Sequence, residues 1–321
     1  MSSRCKQSDL DRLARLDVGR VAGDQPLASH SSWGIGGPAD LLIEPQSPHQ
    51  LQILIRYVAE KQLPLVVIGQ GTNLLFDDAG VRGAVVKIGP ALGGIQIDGT
   101  VIRAGAGVWV PQLARRAMCN GLSGLEHCSG IPGTLGGLVL MNGGSRRRAI
   151  GENVRRVRLV NPRGEICELA TAECDFSYRH SNLAGRGIVV EVELECVRGE
   201  PEAIRREMVG DLRERRHKFP RKVPNCGSVF LSSPEMHVSV GPPGKLIEAA
   251  GLKGFRCGGA EISRQHANFI LNRGNASSSD VLTLIAHIRR TLRRQLDFDL
   301  QCEVRYVSPA GEVRSAHLVA I

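Results

Sequence analysis

Apolar and polar residues alternate along several segments of the first 200 residues in the pattern of half-buried β-strands. The segment IQIDGTVIRAG, residues 95–105, alternates on both sides of an Asp-Gly pair, which favours a tight hairpin turn. The segments at 154–170 and 188–196 continue this pattern, the first as another hairpin and the second as one strand with glutamates on its polar face. Uninterrupted apolar runs within 64–76 and at 84–88 predict buried strands.

Helical periodicity is confined to fewer segments and becomes prominent after about residue 200. A helix is predicted near 110–119, a second over 203–216 before a proline, and a third over 278–296. We expect Ser279 or Asp280 to cap the third helix. The apolar stripe of the second helix is predicted to consist of Ile204, Met208, Val209 and Leu212. The chain therefore predicts an α+β protein with a β-rich half of about 200 residues and a smaller α+β domain.

The charge balance narrows the class of partner. The 321 residues include 41 Lys and Arg against 32 Asp and Glu, which gives a net charge of +9. This excess favours anionic partners. Aromatic residues make up only 4% of the chain and do not interleave with the basic runs, as a single-strand stacking surface would require. We therefore expect phosphorylated small molecules rather than nucleic acid.

The nine cysteines show no spacing typical of a metal site. No pair has the Cys-x-x-Cys spacing of zinc ligands, so no metal is predicted. The first residues contain no apolar segment typical of a signal peptide, and no run is long enough to span a bilayer. A cytoplasmic protein with reduced thiols is expected.

Two glycine-rich loops in the β-rich half are candidates for cofactor binding. GQGTN, residues 69–73, follows a predicted strand and offers backbone amides to an anion. It matches neither the dinucleotide fingerprint nor the Walker loop, and by itself it is more typical of a tight turn. GIPGTLGG, residues 130–137, is a second such loop. Together they suit a long ligand with a pyrophosphate and a flat ring system, such as a flavin dinucleotide, although a structural connection is the alternative.

An ordered set of motifs resembles one family. The set comprises SSWGIGGPAD (31–40), VIGQGTNLLF (67–76), GLEHCSGIPGTLGGLVLMNGG (124–144), FSYRHSNL (176–183), NCGSVF (225–230), GKLIEAAGLKGFRCGGAEIS (244–263) and HANFILNRGNA (266–276). In this order the motifs resemble the UDP-N-acetylenolpyruvoylglucosamine reductase family, in the shorter form without an inserted tyrosine. The resemblance covers about residues 25–307.

The resemblance implies an FAD-binding half in two lobes, of the vanillyl-alcohol-oxidase type, followed by a substrate-binding domain. The implied division is 1–24 as an N-terminal extension, 25–90 and 91–200 as the two lobes, 201–307 as the substrate-binding domain and 308–321 as a C-terminal tail. The implied reaction, in peptidoglycan precursor synthesis, is the NADPH-dependent reduction of UDP-N-acetyl-3-O-(1-carboxyvinyl)-glucosamine to UDP-N-acetylmuramate. FAD is expected to bind noncovalently, and the chain is expected to be a monomer.

The family's functional residues map onto matching positions of this sequence. The implied catalytic residues are Arg179, Ser228 as proton donor, and Glu303. The implied substrate-binding residues are Tyr178, Lys218 and His266. The implied cofactor-binding residues are Gly69, Gln70, Gly71, Thr72, Asn73, Leu74, Gly130, Ile131, Gly133, Thr134 and Gly137.

Each mapped side chain also has an ordinary structural interpretation. Arg179 and Lys218 would then be solvated cations, and Glu303 would pair with Arg305 or with solvent. In PNCGSVF, a serine hydroxyl stays protonated at neutral pH and can donate a proton, whereas the neighbouring Cys226 is expected to pack as a small apolar residue.

Two departures from the family pattern weaken particular expectations. Leu231 and Ser232 replace the usual polar residues after GSVF, which puts substrate or NADPH contacts there in doubt. His127 and Cys128 stand where small or aromatic residues are common. The alternative functions are a different flavin oxidase or dehydrogenase with the same flavin half, and a nucleotide-binding regulator without activity.

Overall fold

The computed structural model describes residues 7–320, which form two compact units. The first unit contains the chain up to Gly23, Leu41–Gln70 and Ala84–Arg215. The second contains Asp24–Asp40, Gly71–Gly83 and the chain from Arg216 onward. Each unit has its own apolar core, the first including Leu13 and Val18, and the second including Trp33 and Phe230.

Helices and strands are interspersed along the chain, which confirms the predicted α+β class. The helices are α1 (Gln7–Arg15), α2 (Pro48–Lys61), α3 (Val110–Cys119), α4 (Leu135–Leu140), α5 (Pro201–Lys218), α6 (Pro234–Ser239), α7 (Pro243–Ala249) and α8 (Ser278–Leu296). The strands are β1 (Arg20–Pro26), β2 (Pro38–Glu44), β3 (Leu65–Ile68), β4 (Leu74–Phe76), β5 (Val81–Lys87), β6 (Ile95–Asp98), β7 (Val101–Gly105), β8 (Leu122–Ser123), β9 (Gly144–Ser145), β10 (Arg148–Ala149), β11 (Val154–Val160), β12 (Ile166–Ala170), β13 (Ile188–Glu195), β14 (Val197–Arg198), β15 (Arg256–Cys257), β16 (Ala260–Ile262), β17 (Ile270–Asn272), β18 (Arg305–Val307) and β19 (Val313–Ser315).

The strands form two larger sheets and several small ones. The five-stranded sheet of the first unit is antiparallel, in the order β12-β11-β13-β7-β6. A four-stranded sheet has the order β1-β2-β5-β3, with β3 parallel to β5. In the second unit, β19-β18-β4 and β15-β16-β17 are three-stranded sheets, and β4 runs parallel to β18. This last pairing places the chain just after GQGTN beside the last strands of the protein.

Most elements predicted from hydrophobic periodicity are confirmed. The hairpin around Asp98-Gly99 is β6-β7, and Gly99 takes the left-handed conformation that the turn requires, with φ of 60°. The second hairpin is β11-β12, and the helix predicted at 110–119 is α3. The apolar face of β13 is buried as expected.

Two details of the helical predictions are wrong. The N-cap of α8 is Ser277. Its hydroxyl accepts from the Asp280 amide, and its own amide donates to the Asp280 carboxylate, so the two residues form a capping box. In α5, Val209 is exposed and Asp211 is buried instead. The buried face is thus rotated toward Asp211, which forms an ion pair with Arg146 at 2.6 Å.

The predicted domain boundaries at 24, 90, 200 and 307 stay predictions. The N-terminal and C-terminal segments both pack against their units, since Leu13 is fully buried and β19 pairs with β18. Residues 1–6 of the predicted N-terminal extension lie outside the described residues. Among residues 7–320, no helix is long and apolar enough to cross a membrane.

Candidate active site

The two glycine-rich loops meet in the first unit. A Cβ atom placed on Gly69 would overlap the side-chain hydroxyl of Thr134, so GQGTN and GIPGTLGG approach each other too closely for any larger residue at this position. This contact is the feature expected of two loops that hold one extended ligand, and it fits the flavin interpretation.

Part of the second loop also has a structural role. The first amides of α4 are already used, since Leu135 donates to the Val108 carbonyl and Gly136 donates to the Ala106 carbonyl. The Gly133 carbonyl accepts from Val110. The amides of Leu135 and Gly136 are therefore occupied within the protein, and the exposed part of this loop is at Pro132 and Gly137.

The segment before GIPGTLGG carries a buried imidazole and thiol that are both neutral. The Sγ atom of Cys128 lies 3.3 Å from Nε2 of His127. Burial lowers the pKa of His127 to about 4 and raises the pKa of Cys128 to about 12. The unusual pair is therefore a packed, unreactive contact rather than a thiolate–imidazolium pair.

Arg179 lies in the first unit on a tight turn. Ser177 and His180 exchange backbone hydrogen bonds of 3.1 Å, with Tyr178 and Arg179 between them. Arg179 has φ of 54°, a left-handed conformation that is unfavourable for a residue with a Cβ atom. Strained backbone of this kind persists only where the surroundings hold it, and it clusters at functional sites.

The segment MNGG, residues 141–144, is hydrogen-bonded to this turn. The buried Asn142 side chain donates to the Ser177 carbonyl at 2.8 Å and accepts from the Gly151 amide at 2.9 Å. Arg179 itself donates through Nη2 to the Gly144 carbonyl at 2.9 Å. The guanidinium therefore has a fixed direction rather than the mobility of a solvated surface cation.

Arg215 is a candidate that sequence reasoning did not single out. Its aliphatic stem and Nε lie against Gly130 of the second glycine-rich loop. Burial lowers the pKa of Arg215, and the neighbouring charges of Asp211 and Arg179 act on it in opposite directions. In the run RERRHK, nothing in the sequence separates this half-buried arginine from its solvated neighbours.

Ser228 lies in the second unit, in a segment fixed by Asn268. The Val229 amide donates to the Asn268 carbonyl, and the Asn268 side chain both accepts from the Phe230 amide and donates to the Phe230 carbonyl, each at 2.9 Å. Gly227, just before the serine, has φ of 78°, and its amide is held by the Asn225 side chain. The serine is thus carried by a rigid segment.

Glu303 lies on the segment bonded to this one. Its amide donates to the Val229 carbonyl at 2.9 Å. Its carbonyl accepts from the side chain of Asn73, the last residue of GQGTN, at 3.1 Å. The structure therefore brings together Ser228, Glu303 and one end of a predicted cofactor loop within one unit.

Cys226 is part of the second unit's core. Its side chain is 6% exposed, and its Sγ lies 3.5 Å from the Leu74 carbonyl. Burial raises its pKa strongly. The prediction that Cys226 packs as a small apolar residue is confirmed by its place in this core.

Lys218 and His266 are also close together in the second unit. The Lys218 ammonium lies 5.7 Å from the centroid of the Phe219 ring, which in turn packs edge-on against the His266 ring at 5.3 Å. The pKa of His266 is lowered by burial and then by the Lys218 charge. Its Nδ1 accepts from the Asn268 amide, so His266 belongs to the same framework as Ser228.

No metal centre accompanies these residues: within the described part of the chain, no three His, Cys, Asp or Glu side chains are grouped to hold an ion. Arg179 and Tyr178 belong to the first unit, whereas Ser228, Glu303, Lys218 and His266 belong to the second.

The comparisons with known proteins identify the family. Residues 219–307 match the C-terminal domain of UDP-N-acetylenolpyruvoylglucosamine reductase, and residues 39–170 match an FAD-binding domain. UDP-N-acetylenolpyruvoylglucosamine reductase 1 of Corynebacterium glutamicum is 47% identical over 302 residues, which cover 94% of this chain and 90% of that protein. The chain belongs to the UDP-N-acetylenolpyruvoylglucosamine reductase family.

Other members extend this result. The reductase of Moorella thermoacetica is 43% identical over 300 residues, covering 92% of this chain and 97% of that protein. The crystal structure of the reductase from Thermus caldophilus superposes with a TM-score of 0.76 at 33% identity, covering 89% of this chain and 98% of that one. The family resemblance seen in the sequence is confirmed.

Family membership also settles the class of chemistry. The chain is a flavoprotein oxidoreductase with an FAD-binding half, and the predicted reductase function in peptidoglycan synthesis is confirmed. The match at 219–307 contradicts the alternative of another flavoenzyme that shares only the flavin half.

Proposed function

We propose that this reductase converts the enolpyruvyl ether of UDP-N-acetylglucosamine to UDP-N-acetylmuramate with NADPH, and that Ser228, Arg179 and Glu303 carry the protein's part of the chemistry. When held by the two glycine-rich loops, FAD would supply the redox chemistry, passing hydride from NADPH to one carbon of the enolpyruvyl double bond. The other carbon then needs a proton, and the charge that develops beside the substrate carboxylate needs stabilisation.

Ser228 is the proposed proton donor. One observation carries this assignment: the Glu303 amide donates to the Val229 carbonyl at 2.9 Å, which places a hydroxyl and a carboxylate on adjoining, hydrogen-bonded segments. A hydroxyl held on a rigid segment can donate at neutral pH, and the carboxylate of the adjoining segment is proposed to orient it or restore its proton.

Arg179 is the proposed electrostatic group. A guanidinium always carries its charge and can face either the substrate carboxylate or the developing enolate. Its hydrogen bond to Gly144 and its strained backbone support a fixed direction, which is what electrostatic stabilisation of a transition state requires.

Tyr178, Lys218 and His266 are the proposed substrate-binding residues. Lys218 is exposed and suits the diphosphate of the UDP-sugar or of NADPH. Tyr178 is 47% exposed, with its ring 5.8 Å from the Arg179 guanidinium. His266 is half-buried beside Lys218 and is kept neutral by that environment.

The two glycine-rich loops are the proposed FAD contacts. We assign Gly69, Gln70 and Thr134 to this role because the loops meet at Gly69 and Thr134. The same assignment extends to the rest of both loops, namely Gly71, Thr72, Asn73, Leu74, Gly130, Ile131, Gly133 and Gly137. We also propose that the enzyme is monomeric and located in the cytoplasm. Light scattering after size-exclusion chromatography measures its assembly state.

The test separates the two half-reactions. In anaerobic stopped-flow experiments on FAD-loaded protein, Ser228→Ala should leave flavin bleaching by NADPH close to normal. Reoxidation by the enolpyruvyl substrate should slow by about 10²–10⁴-fold, the scale of a lost general acid. Cys226→Ala, two residues away, is the matched control and should change neither rate.

The reverse pattern would refute the assignment. If Cys226→Ala stops reoxidation while Ser228→Ala does not, the thiol and not the hydroxyl takes part in the chemistry. If protein supplied with FAD remains colourless, the proposed FAD contacts of the two glycine-rich loops are wrong.

A further inference from the structure

The segment Cys302–Val304 bends at Glu303 and Val304 and is hydrogen-bonded on two sides. Glu303 forms the hydrogen bonds on one side: its amide donates to the Val229 carbonyl, and its carbonyl accepts from the Asn73 side chain. This side of the segment faces the chain that carries Ser228.

The C-terminal tail, residues 308–320, is hydrogen-bonded to the other side of the segment Cys302–Val304. The Cys302 amide donates to Nδ1 of His317 at 3.0 Å, and the Ser315 hydroxyl oxygen lies 2.8 Å from both the Cys302 carbonyl and this Nδ1. The Ala316 amide donates to the Val304 carbonyl at 3.0 Å. Both neighbours of Glu303 are therefore held by the tail.

The tail itself is anchored to α8. Arg289 donates to the His317 carbonyl at 2.8 Å and, through Nε, to the Leu300 carbonyl at 3.0 Å. The same guanidinium pairs with Asp299 at 2.7 Å. A single arginine therefore joins α8, the tail and the chain that leads into Cys302.

The imidazole of His317 must be neutral for this arrangement. A backbone N–H can only donate, so Nδ1 has to be the unprotonated acceptor and Nε2 carries the hydrogen. Burial lowers the pKa of His317, Arg289 and Arg305 lower it further, and Asp299 opposes them. Protonation of Nδ1 would remove the acceptor of the Cys302 N–H and direct the new N–H at the Ser315 hydroxyl oxygen instead.

We infer that His317 is a positioning residue: its imidazole fixes the far edge of the segment that carries Glu303 and so holds Glu303 beside the Ser228 segment. This inference rests on the proposed role of Glu303 in the reaction. It assigns the C-terminal tail a role in the second half-reaction, the reduction of the substrate, and none in the oxidation of NADPH.

The experiment compares three substitutions at one position in FAD-loaded protein. His317→Asn keeps an acceptor oxygen near the position of Nδ1, whereas His317→Gln carries its oxygen one bond further, and His317→Ala has none. Flavin reduction by NADPH should stay within about twofold of wild type in all three. Substrate-driven reoxidation should slow by about 10–100-fold in the Ala and Gln variants, the scale of a misplaced catalytic group, and recover in the Asn variant.

Two further variants complete the design. Leu318→Ala changes the next residue, which is 69% exposed, and should alter neither half-reaction. Glu303→Gln tests the proposed role on which the inference rests and should slow reoxidation selectively. Should the Ala variant not fold, the Gln and Asn variants still give the comparison.

Several outcomes would overturn the inference, and they are distinguishable. If Glu303→Gln slows reoxidation while His317→Gln does not, the tail is not needed and the role of Glu303 stands. If Glu303→Gln has no effect, the proposed role of Glu303 fails and the inference fails with it. If His317→Gln slows both half-reactions equally or lowers FAD retention, His317 is only structural.

Discussion

Asn268 is a buried polar residue of the second unit whose side chain satisfies both backbone groups of Phe230. Its side-chain amide accepts from the Phe230 amide and donates to the Phe230 carbonyl, each at 2.9 Å. Asn268 is 4% exposed and Phe230 is 1% exposed, so water cannot easily replace either bond. We predict a large loss of stability for Asn268→Ala.

The magnitude follows from the two groups left behind. A buried donor or acceptor without a partner costs about 1–3 kcal/mol. Asn268→Ala orphans both the N–H and the C=O of Phe230, so the free energy of unfolding should fall by roughly 2–6 kcal/mol. Proteins of this size have little stability to spare, and a loss in this range is a large fraction of the total.

Asn268→Asp keeps the hydrogen-bond acceptor of the side chain and removes its donor. The introduced carboxylate still accepts from the Phe230 amide, but its second oxygen faces the Phe230 carbonyl without a proton. Burial and this carbonyl should raise the pKa of the introduced carboxyl in the folded state above its ordinary value. Because the folded state then binds the proton more tightly, the deficit relative to wild type should shrink as the pH falls from 7 toward 4.

Urea titration of FAD-loaded protein measures these free energies. Trp33 lies fully buried in the same core as Phe230, so in a Trp109→Phe background its fluorescence reports unfolding of the second unit alongside circular dichroism. Asn120→Ala is the matched control, because that exposed side chain also donates to a backbone carbonyl, that of Arg116. The control should lose no more than about 0.5 kcal/mol.

The reasoning would be refuted by either of two results. One is a loss below about 1 kcal/mol for Asn268→Ala with an unchanged urea dependence, since two orphaned buried groups cannot cost so little. The other is an Asn268→Asp deficit that stays constant or grows as the pH falls.

Three further predictions concern the cofactor, the substrate and the first glycine-rich loop. FAD should be noncovalent, so acid precipitation should release all yellow colour into the supernatant; colour in the pellet would contradict this. Lys218→Ala should raise the KM for the UDP-substrate or NADPH more than it lowers kcat, because a cation on a remote phosphate gives uniform binding; an unchanged KM for both would indicate a solvated lysine. Gly71→Ala and Gly99→Ala both place a side chain at φ of 60°, but only the Cβ on Gly71 would overlap the His30 carbonyl. Thermal unfolding should therefore show about 1–2 kcal/mol lost at Gly99 and more at Gly71, and equal losses would contradict the steric argument.

Features set by neighbours along the chain could be predicted from the sequence. The hairpin at Asp98-Gly99 and the strand at 188–195 follow from alternation of period two and from turn chemistry. The same local information failed at the start of α8, where the capping box begins one residue earlier, at Ser277. Recognition of the family worked because its motifs are short, ordered and specific.

Which side chains come together is decided by contacts across long separations. Asn73 and Glu303 are 230 residues apart and share a hydrogen bond, and Asn268 holds Phe230 across 38 residues. No periodicity encodes such pairs, because each depends on two distant segments being placed at once.

The sequence by itself therefore determined the family, the flavin chemistry and the identity of Ser228, Arg179 and Glu303 as candidates. Only the tertiary structure decided that Asn268 holds the segment after Ser228 and that the C-terminal tail bonds to both neighbours of Glu303. The physical reason is that residue type and spacing specify the local backbone conformation and the chemistry that each side chain can perform. Burial and hydrogen-bond partners, by contrast, arise only when the cores assemble.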